Sequence, residues 1–105
     1  REWEQKVRQE IVRLCHEDTP TLEKVANSLF LTPRTLQRHL ANEGLRFQPL
    51  LDETRRHLAE QYLNDNRLQL TDIAELLGYS DQSALTRAFK RWTGSTPKKA
   101  VRKTN

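Results

Sequence analysis

Two clusters in this chain combine guanidinium, amide and hydroxyl groups at helical spacing: Arg34, Gln37 and Arg38, then Gln82, Ser83 and Arg87. Residues three or four apart on a helix share a face, so each cluster presents several hydrogen-bonding groups to one side. An arginine fork matches the O6 and N7 acceptors of guanine, and a glutamine amide matches N6 and N7 of adenine. Thr35 and Thr86 stand beside these groups as secondary candidates for the same contacts. Lys90, Arg91, Lys98 and Lys99 follow as cations better suited to phosphate, which fixes register without reading sequence. Hydrogen-bonding groups in the first turns with cations after them is the order expected when a helix N-terminus meets base edges. The plain alternative is a solvated cationic helix face.

The apolar residues show how such clusters are carried. With Leu85 as origin, Ala88, Phe89 and Trp92 fall within about 60° of it on a helical wheel, while Ser83, Thr86, Arg87 and Lys90 lie opposite. This predicts a helix over about residues 81–93, with Ser80 as its N-cap. Leu70, Ile73, Ala74 and Leu77 form the stripe of a preceding helix, which Gly78 ends. Two helices separated by a three-residue turn have the length and chemistry of a helix-turn-helix, whose second helix enters the major groove.

The unit occurs twice. Leu22, Val25, Ala26 and Leu29 repeat that stripe with a displacement of 48, and after the turn the displacement becomes 49, pairing Leu36 with Leu85, Arg38 with Arg87 and Leu40 with Phe89. Thr32 and Pro33 open the second helix of the first copy, as N-cap and N1 residues should, and Gly44 closes it. Phe30 stands where the later copy has Gly78, so the two turns are expected to differ, with Phe30 packed inward or in another turn geometry. Trp3, Val7, Ile11, Leu14 and Cys15 predict a packing helix over residues 3–16, and Thr21 is placed to cap the helix after Pro20. Phe47, Leu50, Leu51, Leu58, Ala59 and Tyr62 belong to a helix of about 17 residues, about 25 Å long, whose stripe can serve both copies. The expected division is therefore 1–46, a linker helix within 47–66, and 67–105.

Ile73-Ala74, Leu77-Gly78-Tyr79, Asp81-Gln82-Ser83, Arg87-Ala88-Phe89-Lys90, Gly94 and Thr96-Pro97 together resemble the second helix-turn-helix of the AraC/XylS family of bacterial transcription regulators. The resemblance spans roughly residues 5–102. Leu85 departs from the usual aromatic, and the closing P-x-x-Y-R reads Pro97-Lys98-Lys99-Ala100-Val101, with Arg102 one place late. The resemblance implies an all-α fold of about seven helices, forming two helix-turn-helix subdomains joined by a long linker helix. It also implies double-stranded DNA and RNA polymerase as partners, an effector-binding or dimerising domain upstream, and a place at the nucleoid in the bacterial cytoplasm. Arg55 and Ala59 match the family's R-x-x-x-A in the linker helix, where Arg55 either reaches phosphate or enters a structural ion pair.

Composition agrees with a polyanion partner. The 105 residues carry a formal charge of +4, and residues 81–105 hold seven Lys and Arg against the single Asp81, on an otherwise mildly acidic chain. Nucleic acid and an anionic membrane surface both suit such a patch, but no apolar run approaches the length of a membrane span. The lone Cys15 lies on an apolar stripe and is expected to be a buried thiol. His16, His39 and His57 are scattered without metal-ligand spacing, and no phosphate loop or nucleophile motif is present, so neither a metal, a cofactor nor an enzyme is expected. A helical module docking an acidic protein of the transcription machinery is the alternative. The duplicated arginine at one helical position argues against it, because a docking surface has no need of a repeat.

Overall fold

The computed structural model describes residues 1–97, and the expected contributions of Lys98, Lys99 and a seventh helix lie outside the described residues. Those described form six helices: α1 (Glu2–Cys15), α2 (Leu22–Ser28), α3 (Pro33–Asn42), α4 (Phe47–Leu63), α5 (Leu70–Leu76) and α6 (Gln82–Thr93). The fold is all-α, as expected. α2 and α3 make one helix-turn-helix, α5 and α6 the other, and α4 runs between them for the 17 residues anticipated.

The helix starts follow local chemistry. Thr21 accepts from the Lys24 N–H and Thr32 from the Thr35 N–H, satisfying donors that a helix N-terminus leaves open. Pro33 opens α3 where a missing N–H costs nothing. The expectation of Ser80 as the cap of α6 is corrected: Asp81 does this, its carboxylate accepting from the Ala84 N–H at 2.8 Å. A carboxylate also interacts more strongly than a hydroxyl with the positive end of the helix dipole.

The expectation of two different turns is also overturned. Phe30 does not pack inward but is 96 % exposed. It takes a left-handed φ of 61°, as Gly78 does at 83°. Leu31 N–H donates to Ala26 O and Phe30 N–H to Asn27 O; Tyr79 N–H donates to Ala74 O and Gly78 N–H to Glu75 O. Both turns are therefore Schellman motifs, whose paired bonds satisfy the last carbonyls of α2 and α5. Backbone hydrogen bonding outweighs the phenylalanine's aversion to positive φ.

Two cores result. Val7, Ile11, Val25, Leu36, Leu40 and Leu50 anchor the first, and Ala59, Ile73, Leu77, Leu85 and Phe89 the second. The N-terminal half of α4 gives Leu50 and Leu51 to one, and its C-terminal half gives Leu58, Ala59 and Tyr62 to the other. Between the halves sit the buried polar residues Thr54 and Arg55. Cys15 is buried as expected, and burial pushes its thiol pKa up. His39 is half-buried, stacked on Trp3 with ring centroids 4.2 Å apart.

Candidate nucleic-acid interface

α3 and α6 expose what their sequences promise. Leu36 and Leu40 are fully buried, which turns Arg34, Gln37 and Arg38 to solvent. Leu85, Ala88 and Phe89 do the same on α6, leaving Gln82, Ser83, Arg87, Lys90 and Arg91 exposed. Thr35 and Thr86 are half-buried, and the Thr35 hydroxyl accepts from that of Thr32 at 2.9 Å. With the displacement of 49 that relates the two copies, Arg34 corresponds to Ser83, Gln37 to Thr86 and Arg38 to Arg87.

The electrostatics separate these helices from the body. On the body, Arg8 bridges Glu4 and Glu53, Arg13 meets Glu10, Arg56 meets Glu60, Arg67 meets Asp65, and Lys24 meets Asp18. These pairs hold carboxylates down: Glu10 lies below its ordinary pKa through its hydrogen bond to Arg13, and Asp65 through its bonds to Arg67. Among the described residues no carboxylate pairs with Arg34, Arg38, Arg87, Lys90 or Arg91, and neither α3 nor α6 contains an acidic residue. Among the described residues, the cations of these two helices therefore face solvent without an acidic partner.

Two residues stand differently from the sequence reading. Arg55 does not reach the surface and, among the described residues, forms no ion pair: it is 6 % exposed, and its guanidinium carbon lies 4.4 Å over the Tyr79 ring. The sequence reading passed over Arg46, an exposed residue in the loop before α4 that lines an open cavity of about 680 Å³ with Gln37 and Gln48. Its signal was present, as an unpaired cation directly ahead of a helix start, but no periodicity marks a loop residue. Among the described residues no group of His, Cys, Asp and Glu is arranged to hold a metal, and no helix is long and apolar enough to cross a membrane.

Comparison with known proteins places this arrangement. A family model described as a helix-turn-helix domain matches residues 25–103. The HTH-type transcriptional regulator VirS of Mycobacterium tuberculosis is 53 % identical over 76 residues, covering 72 % of this chain and 22 % of that protein. The ornithine utilization regulator of Pseudomonas aeruginosa is 46 % identical over 80 residues, covering 76 % of this chain and 24 % of that protein. The chain thus spans about a quarter of the length of these curated relatives. Among solved structures, the C-terminal domain of AraT, a response regulator from Geobacillus stearothermophilus, superposes with a TM-score of 0.81 at 33 % identity, covering 98 % of this chain and 85 % of that one. The chain belongs to the AraC/XylS-type helix-turn-helix family, the DNA-binding domains of bacterial transcription regulators.

Proposed function

We propose that this domain reads double-stranded DNA with both units at once, seating α3 and α6 in successive major grooves on one face of the duplex. The observation that carries the reading is the contrast in pairing: outside α3 and α6 every described Lys and Arg but Arg46 and Arg55 meets a carboxylate, while those of α3 and α6 meet none among the described residues. Arg34, Gln37 and Arg38 then contact bases in one half-site and Gln82, Ser83 and Arg87 in the other, with Thr35 and Thr86 in support. Lys90, Arg91 and Arg46 hold phosphates, joined by Lys98 and Lys99. The molecule's 41 Å long axis leaves room for reading helices about 34 Å apart, the spacing of successive major-groove faces. In a full-length regulator, an upstream effector-binding or dimerising domain controls this module, and RNA polymerase is the partner it recruits.

The test begins by selecting bound sites from a random duplex pool. About 5 base pairs are then inserted between the half-sites, which turns the second groove to the far side of the duplex. One half-site should be lost. Insertion of about 10 pairs should not rescue monomer binding, because the span then doubles to about 68 Å. Unchanged affinity after the 5-pair insertion would show that one unit alone reads DNA. Titration against an acidic protein in place of duplex tests the docking alternative directly.

A further inference from the structure

α4 carries both units, its C-terminal half packed into the second core, so bending or twisting of this one helix would change how the units face each other. A second, off-axis contact braces the arrangement where the end of α1 meets the α5–α6 turn. The Thr19 hydroxyl donates to Gly78 O at 3.0 Å. A Cβ at Gly78 would stand 2.9 Å from Asp18 O, 3.2 Å from Cys15 O and 3.3 Å from Arg55 Nη2, so the turn is pressed against the end of α1 at backbone distance. The first unit has no counterpart of this contact, since Phe30 at the equivalent position is open to solvent.

Arg55 is the side chain that joins all three parts. It rises from the middle of α4 between the two cores, lies over the Tyr79 ring, and brings Nη2 to within 3.3 Å of where a Cβ at Gly78 would stand, the point that the Asp18 and Cys15 carbonyls also face. Among the described residues no carboxylate compensates its burial, and Nε and Nη2 have no hydrogen-bond partner. A buried, unpaired guanidinium is a poor way to gain stability, because apolar replacements of buried charges are often neutral or stabilising. Its planar fork, stacked on Tyr79, is a good way to fix an orientation.

We propose that Arg55 is a positioning residue that locks the second unit against the end of α1 and so sets the separation at which α3 and α6 meet DNA. The inference deepens the bipartite reading and rests on it for its consequence, but the lock itself can be measured without DNA. Spin labels at the exposed positions 42 and 91 (Asn42→Cys, Arg91→Cys) report the distance between α3 and α6, and buried Cys15 stays unlabelled. The distance distribution should be narrow with Arg55 present and at least about twofold broader in Arg55→Met. Thr19→Val, an exposed change that removes the bond to Gly78 O, should broaden it in the same direction and covers the case in which Arg55→Met fails to fold. On the selected site, one base pair added or removed between half-sites should cost the unlabelled wild-type protein about tenfold in affinity and the lock variants about threefold or less. Affinity for an isolated half-site should be the same in all. A narrow distribution in both variants overturns the lock. Broadening without any change in spacing preference overturns its role in reading, as does an equal loss on isolated half-sites, which would mark a general loss of fold. A wild-type protein indifferent to spacing, with the distances behaving as expected, refutes the bipartite reading and leaves the lock intact as structure only.

Discussion

Phe30 and Gly78 hold the same backbone position in the two turns, at φ 61° and 83°, yet one side chain projects into solvent and the other position is closed by the carbonyl of Asp18. Substitutions at the two should therefore have opposite signs. Phe30→Gly relieves left-handed strain of about 1–2 kcal/mol and loses about 0.5–1 kcal/mol to the greater freedom of the unfolded chain. The net is a stabilisation of between about 0 and 1.5 kcal/mol. Gly78→Ala gains about 0.4–1 kcal/mol from the unfolded chain but acquires that same strain and a Cβ at 2.9 Å from backbone, so it should destabilise by at least about 1 kcal/mol. Urea melts of the two variants check both signs, and a destabilised Phe30→Gly would mean that the exposed ring makes a contact worth keeping.

Arg87→Ala and Lys90→Ala should weaken DNA binding in different ways. Arg87 sits in the second turn of α6 in the register of Arg38, whereas Lys90 lies a turn further on. Arg87→Ala should cost about 1–3 kcal/mol on the best site and relax base preference at one position. Lys90→Ala should weaken all sequences alike and reduce the salt slope by about one. Competition binding at two salt concentrations, on selected and scrambled duplexes, separates them; equal losses of specificity would remove the assignment.

What was legible in the sequence was whatever repeats at the period of an element. Leu85, Ala88 and Phe89 mark the buried face of α6 by their spacing alone, and with it the exposed one. The one-residue shift of the cap from Ser80 to Asp81 was not legible, because an apolar stripe fixes which face is buried but not the residue at which the helix starts. The turn at Phe30 was misjudged because residue preference was weighed against backbone hydrogen bonds that only the closed motif makes. Arg55 was beyond reach for another reason: its neighbours Tyr79 and Gly78 come from a distant part of the chain, and no local pattern encodes that meeting.

Glu43 ties the end of α3 to the start of α1 and should make stability fall in acid. Its carboxylate accepts from the N–H groups of Trp3 at 2.9 Å and Glu4 at 3.0 Å. The bond from Trp3, with that from Glu4, holds its pKa below the ordinary 4.5. A carboxyl depressed in the folded state stabilises above its unfolded pKa, and that contribution disappears as pH drops through the folded value. Glu43→Gln should therefore lower Tm at pH 7, and the gap between variant and wild type should narrow as pH falls below the ordinary 4.5 and through the folded value. A gap that stays constant across that range would show that the carboxylate's charge plays no part.

The two tryptophans allow the sharing of α4 to be tested, since Trp3 packs on the first core and Trp92 on the second. Leu36 belongs to the first core alone and is fully buried, so Leu36→Ala should cost about 2–5 kcal/mol. That is a large part of the total stability of a small domain, about 5–15 kcal/mol. If each unit were stable alone, the loss would be confined to the first and Trp92 would not report it. Because α4 completes both cores, unravelling its N-terminal half should take the second unit with it. In the Trp3→Phe background, where Trp92 alone fluoresces, Leu36→Ala should shift the denaturation midpoint as far as it does in the Trp92→Phe background, where Trp3 alone reports. Coincident shifts are the mark of one cooperative transition. A Trp92 midpoint that does not move would mean two independent units on a passive connector, and α4 would then have no power to hold their reading helices at one separation.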